Sequence, residues 1–267
     1  MAGVIRAQFG LFTILPSKVS AEDFDSLAKH FWTVPLMGLF FGTLSGLTFL
    51  LANQFFVPLL SAVLAIMMVH LFNRFLHLDG LSDLGDGLLC GGTKEKKMAV
   101  MKDSRSGAGG IAYVLFFELL GIAALSTFGG WNASIMFFIP LAAEVLAKNA
   151  LLTCAAYGEP SDGLGGAFVR NTRPRSATFS SVLSLAIVVP LAYLLSTYSG
   201  WSPLWTAVIC AAAVAVSALV GWTMSRVALR HFGIVNGDVL GATNEIARPV
   251  VLMLIIVVIK CLESARL

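Results

Sequence analysis

The residues best equipped for chemistry lie in one stretch, HLDGLSDLGDG, from His77 to Gly87. Three carboxylates, Asp79, Asp83 and Asp86, fall within eight residues, soon after a run from Phe31 to Asn73 that contains no Asp, Glu, Lys or Arg. Spacings of i, i+4 and i+7 put all three on one narrow face of a helix. Like charges this close repel, and a carboxylate beside lipid is costly to desolvate, so a cation belongs between them. With no His or Cys cluster nearby, oxygen donors alone select a hard divalent ion: magnesium, calcium or manganese. Magnesium keeps several waters and shares its shell with substrate phosphates. The segment TKEKKMAVMKDSRSG that follows carries Lys and Arg for an anion clamp, with Arg105 suited to bidentate phosphate contact. The combination points to phosphoryl transfer, which depends on positioning and charge neutralisation. Taken as packing alone, the stretch is a solvated acidic loop in which Gly80, Gly85 and Gly87 mark turns. His77, two residues before Asp79, is a candidate for supporting the metal ligands or for moving a proton.

Two further polar segments bring related chemistry. GEPSDGLGGAFVRNTRPR combines glycines that permit close backbone approach to a ligand with the positive charges Arg170, Arg173 and Arg175; it also suits a flexible loop. In HFGIVNGDVLGATNEIARP, Asp238 and Glu245 are seven apart with Asn244 beside them, so they share a side of a helix that starts at Asp238. An Asn-Gly-Asp turn before a helix is also a plain N-cap. Glu118, Glu144 and Lys148 stand inside apolar segments, where charges face a bundle interior or a cavity. Glu144 and Lys148, at i, i+4, are placed to neutralise each other. His30, His70 and His231 show no ligand spacing and read as satisfied polar groups.

The elements that must position these residues are membrane helices. The chain is 57% hydrophobic and 12% charged, against about 25% charged in ordinary soluble domains. From Ser176 to Ser225 it again lacks Asp, Glu, Lys and Arg. Since a span needs about 20 apolar residues, an all-α polytopic membrane protein is expected, as a single integral domain over residues 1–267. Seven spans are predicted near 33–52, 56–76, 109–128, 133–156, 178–198, 204–225 and 249–264, the last interrupted by Lys260 and Glu263. Residues 1–30 form an N-terminal interfacial segment, without a signal-peptide cleavage pattern. Short charge-free links alternate with long polar ones near 77–108, 157–175 and 226–248. The long ones hold Lys94, Lys96, Lys97, Lys102 and Arg105, then the three arginines of the second link, then Arg226, Arg230 and Arg248. By the positive-inside rule those links and the N-terminus are cytoplasmic, in the cell membrane. The four cysteines share no disulfide or metal spacing and behave as small hydrophobes.

HLDGLSDLGDG, MKDSRSGAGG and NGDVLGATNE, in this order, resemble the cobalamin synthase family, the adenosylcobinamide-GDP ribazoletransferases. FGLFTILP, VPLMGLFFG and DGLGGAF match other family segments, so the resemblance runs through nearly the whole chain. It implies that adenosylcobinamide-GDP is attacked by α-ribazole or its 5′-phosphate, giving adenosylcobalamin or its 5′-phosphate plus GMP, with magnesium required. The ribose 3′-hydroxyl is the implied nucleophile. Asp83-x-x-Asp86-Gly87 is also distantly similar to the motif opening of CDP-alcohol phosphotransferases. Their following Ala-Arg pair is replaced by Cys90-Gly91, and Asp103-Ser104-Arg105 stands near their later Asp-x-x-x-Asp. On this basis Asp79, Asp83 and Asp86 hold magnesium, Asp103 completes the metal shell or accepts the hydroxyl proton, and Arg105 contacts phosphate. Arg170, Asp238, Asn244 and Glu245 are expected to bind substrate. The expected partners are these small molecules and the lipid bilayer, with no nucleic acid; a charge-poor chain can also conceal a homo-oligomer interface. Rival readings are a lipid-directed CDP-alcohol or polyprenyl phosphotransferase, and a cation transporter with an acidic ion site.

Overall fold

A computed structural model describes residues 1–264, in which twelve α-helices follow one another and the only β pairing is an isolated bridge between Pro160 and Val235. In the first half these are α1 (Ala2–Phe12), α2 (Ala21–Lys29), α3 (Pro35–Ala52), α4 (Pro58–Phe72), α5 (Leu76–Leu89) and α6 (Lys94–Met101). In the second half come α7 (Ala108–Ser126), α8 (Ala133–Ala156), α9 (Gly163–Asn171), α10 (Pro174–Ser199), α11 (Pro203–His231) and α12 (Gly237–Ser264). Local sequence fixes several starts: Ser20 and Asp23 form a capping box on α2, and proline opens α3, α4, α10 and α11.

Helix α8 is the central pillar, with every residue from Ile139 to Ala156 buried. Around it pack α3, α10, α11 and α12. Its contact with α3 is unusually close because Gly38, Gly42 and Gly46 form a stripe on α3; a Cβ at Gly42 would stand 2.6 Å from the Leu141 Cα. In lipid, where apolar burial drives little association, such small-residue stripes let backbones pack tightly.

Among the described residues, six helices are long and apolar enough to cross a membrane, and a seventh span exists if α4 and α5 are counted as one broken unit. These match the predicted spans, with two corrections. The expected span at 56–76 stops after α4, whose 15 residues reach only about 22 Å against a hydrocarbon core of about 30 Å. There Arg74 and Phe75 take left-handed backbone angles (φ 57° and 58°) and the chain turns by 95° into α5, which is not one of the six long helices. Two successive left-handed non-glycine residues are costly. Neighbours hold them in place: the Phe75 amide donates to the His70 carbonyl at 2.9 Å, and the Arg74 guanidinium donates to the Leu11 carbonyl at 3.2 Å.

The second correction concerns the expected polar link at 226–248. Helix α11 runs to His231 and α12 already begins at Gly237. The polar residues from Asp238 to Arg248 are therefore the first turns of α12. They lower its hydropathy without breaking it, because they are satisfied by partners inside the bundle. The three polar segments meet one another at one end of the bundle: Lys94 donates to the Leu229 carbonyl (3.0 Å), Arg226 to the Tyr157 carbonyl (3.0 Å) and the Val235 amide to the Glu159 carbonyl (2.7 Å).

Candidate active site

The acidic stretch is one continuous helix, α5, and its glycines are contact points rather than turns. Gly80 faces the first turn of α12 so closely that a Cβ there would stand 2.7 Å from the Asp238 carbonyl oxygen and 2.9 Å from its Cα. This approach brings Asp238 beside Asp79 and Asp83. The Asn236 side chain orients that corner, donating to the Asp238 carboxylate at 2.7 Å and accepting from the Val239 amide at 3.0 Å as the cap of α12. Asp79 is exposed and Asp83 partly buried. Burial first, then the charges of Asp238, Asp79 and Asp86, push the Asp83 carboxyl up to about 7. Asp86 behaves differently: its two oxygens accept from the Gly107 and Gly110 amides at 2.7 and 2.8 Å, so it caps the start of α7. A carboxylate bound this way still has lone pairs for a cation.

Among the described residues, none of these four aspartates forms an ion pair. Oxygen-only donors, crowded enough that their charges help to raise the Asp83 carboxyl, fit a divalent hard cation. They are less tightly gathered than His70, Glu118 and Glu245, the one trio among the described residues whose ligand atoms all lie within 4.8 Å. An open set of acids suits an ion that keeps water and shares its shell with a phosphate.

Next to the acids lies a cavity of about 330 Å³ walled by Phe12, Phe24, Phe31 and Phe168, with His77, Asp79 and Asp238 on its lining. Phe31 and Phe168 stack at 4.3 Å, joining the N-terminal region to α9. His77 is buried, and its Nδ1 lies 3.7 Å from the Glu245 carboxylate. Burial, with the charges of Lys148 and Arg248, holds the imidazole well below its usual pKa, so it is neutral at pH 7.

The structure distributes the other predicted residues differently. Asp103 and Arg105 pair with each other at 2.8 Å on an exposed loop. Hydrogen bonding from Arg105 pulls the Asp103 carboxyl down to about 2, which makes it a poor base in this arrangement. The loop adjoins α5 through Ser106 and Ser82 (3.4 Å). Arg170 donates to the Ser161 carbonyl at 3.3 Å and lines a separate cavity, away from the aspartates. Asn244 and Glu245 do not share a surface with Asp238. Both are fully buried, and Glu245 reaches the cavity only through His77.

Their surroundings form a charge network that spacing did not reveal. Arg248 donates to Glu144 at 2.6 Å, pairs with Glu245, and lies 3.7 Å from Glu118. His70 is 3.0 Å from Glu118, while Lys148 donates to Asn244 at 2.6 Å and Asn244 to Glu245 at 3.1 Å. Glu144 and Lys148 thus take partners on α12 rather than each other. The sequence signal for this network was the intramembrane charge of Glu118, Glu144 and Lys148. Asn236 and Arg248 had none, since both sit in a segment that reads as an ordinary polar link.

A family model described as cobalamin-5-phosphate synthase matches residues 4–256. An adenosylcobinamide-GDP ribazoletransferase of Methanococcoides burtonii is 34% identical over 97% of this chain and 94% of its own length. That of Methanocella arvoryzae is 32% identical over 91% of each chain, and that of Clostridium novyi 28% identical over 94% of each. No solved structure matches.

Proposed function

The chain belongs to the cobalamin-5-phosphate synthase family, and from that premise we propose that it joins adenosylcobinamide-GDP to α-ribazole or its 5′-phosphate, releasing GMP. The observation that carries this reading is the convergence of Asp79, Asp83 and Asp238, with no ion-paired cation among the described residues, beside a cavity that His77 also lines. The family match takes the place of the lipid-phosphotransferase and cation-transporter readings.

Asp79, Asp83 and Asp238 would hold magnesium, with the remaining lone pairs of Asp86. When bound, magnesium supplies charge neutralisation for the diphosphate and the departing GMP. The chain's own residues do the rest. The phenylalanine walls take the aromatic base of the acceptor and exclude water. His77 accepts the proton of the ribose 3′-hydroxyl as its oxygen bonds to the cobinamide-side phosphorus and the bond to GMP breaks. The Glu245 carboxylate, 3.7 Å from the imidazole Nδ1 and itself held by Asn244, steadies the charge that forms on the ring. Arg105 turns from Asp103 to the phosphate oxygens. The basic residues gathered at this end of the bundle support a cytoplasmic site in the cell membrane.

The test is GMP release from adenosylcobinamide-GDP and α-ribazole by the full chain in detergent. EDTA should abolish it and magnesium restore it, and His77→Gln should lower turnover by about 10²-fold or more without changing the magnesium requirement. Full turnover in EDTA would remove the metal from the account.

A further inference from the structure

A second cavity, of about 490 Å³, lies at the C-terminal end of α9 and is lined by Lys29, Arg170, Arg173 and Arg175 together with Trp32 and Phe179. It shares no lining residue with the phenylalanine-walled cavity. No carboxylate lines it, and none of its four cations forms an ion pair among the described residues. Arg170 donates to the Ser161 carbonyl at 3.3 Å, a neutral acceptor that leaves its charge uncompensated. Four positive charges around one hollow repel each other, and an entering anion relieves that repulsion.

Two more features favour an anion at this position. Arg173 is the N-cap of α10, so the positive end of that helix dipole adds to the field of the side chains. Trp32 and Phe179 pack with ring centroids 6.0 Å apart, and Phe179 is exposed in the second turn of a helix apolar enough to cross a membrane. Aromatic residues beside arginines at the end of a span are what the headgroup layer selects.

We propose that this cavity binds a phosphate-bearing ligand, with the headgroup of an anionic phospholipid as the source that suits a hollow at the end of a span. A soluble phosphate ester presents the same chemistry, and the arms of the experiment separate the two. The full chain in uncharged detergent is titrated with short-chain phosphatidylglycerol, with phosphatidylcholine as control, and separately with inorganic phosphate, following intrinsic tryptophan fluorescence. Phosphatidylglycerol should bind in preference to phosphatidylcholine. The double variant Arg173→Gln/Arg175→Gln should bind about 25-fold more weakly, at about five-fold per basic residue. Asn171→Asp, exposed and nearly isosteric, adds one carboxylate to the wall and should weaken binding about five-fold with every arginine in place. Saturable binding of inorganic phosphate that the same variants lose would assign the site to a soluble ester and equally support it. Affinities for all three probes that are the same in wild type and both variants would overturn the proposal. Binding is read without turnover, so its outcome is independent of the transferase reaction.

Discussion

Two groups of carboxylates in this chain differ in what stands beside them. Inside the bundle, Glu118, Glu144 and Glu245 converge on Arg248, with His70 and Lys148 close by. At the end of the bundle, Asp79, Asp83, Asp86 and Asp238 stand with no ion-paired cation among the described residues. Glu144 and Glu245 are fully buried and Glu118 keeps 16% of its side chain exposed, whereas Asp79 is exposed and Asp83 only partly buried. A dry carboxylate without a counter-charge is too costly to keep, so the interior set had to be self-sufficient. Acids at a wet edge can stay unneutralised until a ligand cation arrives. On the proposed assignment, residue type does not separate the acids that hold the fold from those that hold the metal; the missing counter-charge does.

That contrast can be broken at either group. Arg248→Met should have the largest effect, because it leaves Glu144 and Glu245 buried without their arginine, a loss of about 3–5 kcal/mol; a melting temperature in detergent equal to wild type would erase the distinction. Asp83→Asn should lower turnover by about 10³-fold while the protein melts no earlier than wild type. Gly80→Ala sharpens the geometry: its Cβ must push α5 away from the Asp238 backbone, and turnover should fall about 10²-fold, with intact turnover showing that the two elements need not meet.

A subtler effect follows from pH. Without metal, the Asp83 carboxyl at about 7 lies above its unfolded value of about 4. The folded state then binds more protons between those values, so stability rises as the pH falls from 8 to 6. Melting in EDTA at both pH values should show this trend, and Asp83→Asn should diminish it. Asp103→Asn should matter least, changing turnover by no more than about five-fold, since the carboxylate is exposed and engaged with Arg105. A loss of 10³-fold would make Asp103 the base instead of His77.

Much of this was legible in the sequence because local spacing encodes it. The i, i+4, i+7 aspartates lie on one helix, as their spacing requires, and apart from the runs of α4 and α12 the apolar runs became spans close to their predicted limits. What could not be read was set by contacts between distant segments. Nothing near Gly80 announces that Asp238 will press against it, and nothing near Asp86 announces the Gly107 and Gly110 amides. Hydropathy also misjudged α12, because it scores Asn244, Glu245 and Arg248 one at a time. It cannot register that they neutralise one another and their partners on α7 and α8. The left-handed pair at Arg74 and Phe75 was equally silent, since neither residue type favours that backbone.

The central claim is that the unneutralised acids hold the metal while the neutralised ones do not. Titration of the full chain in detergent with Mn²⁺, read by electron paramagnetic resonance, tests it most directly. Saturable binding should weaken at least about ten-fold in Asp83→Asn and persist in Glu118→Gln. Unchanged binding in Asp83→Asn, with loss in Glu118→Gln, would place the ion among His70, Glu118 and Glu245 and contradict the account.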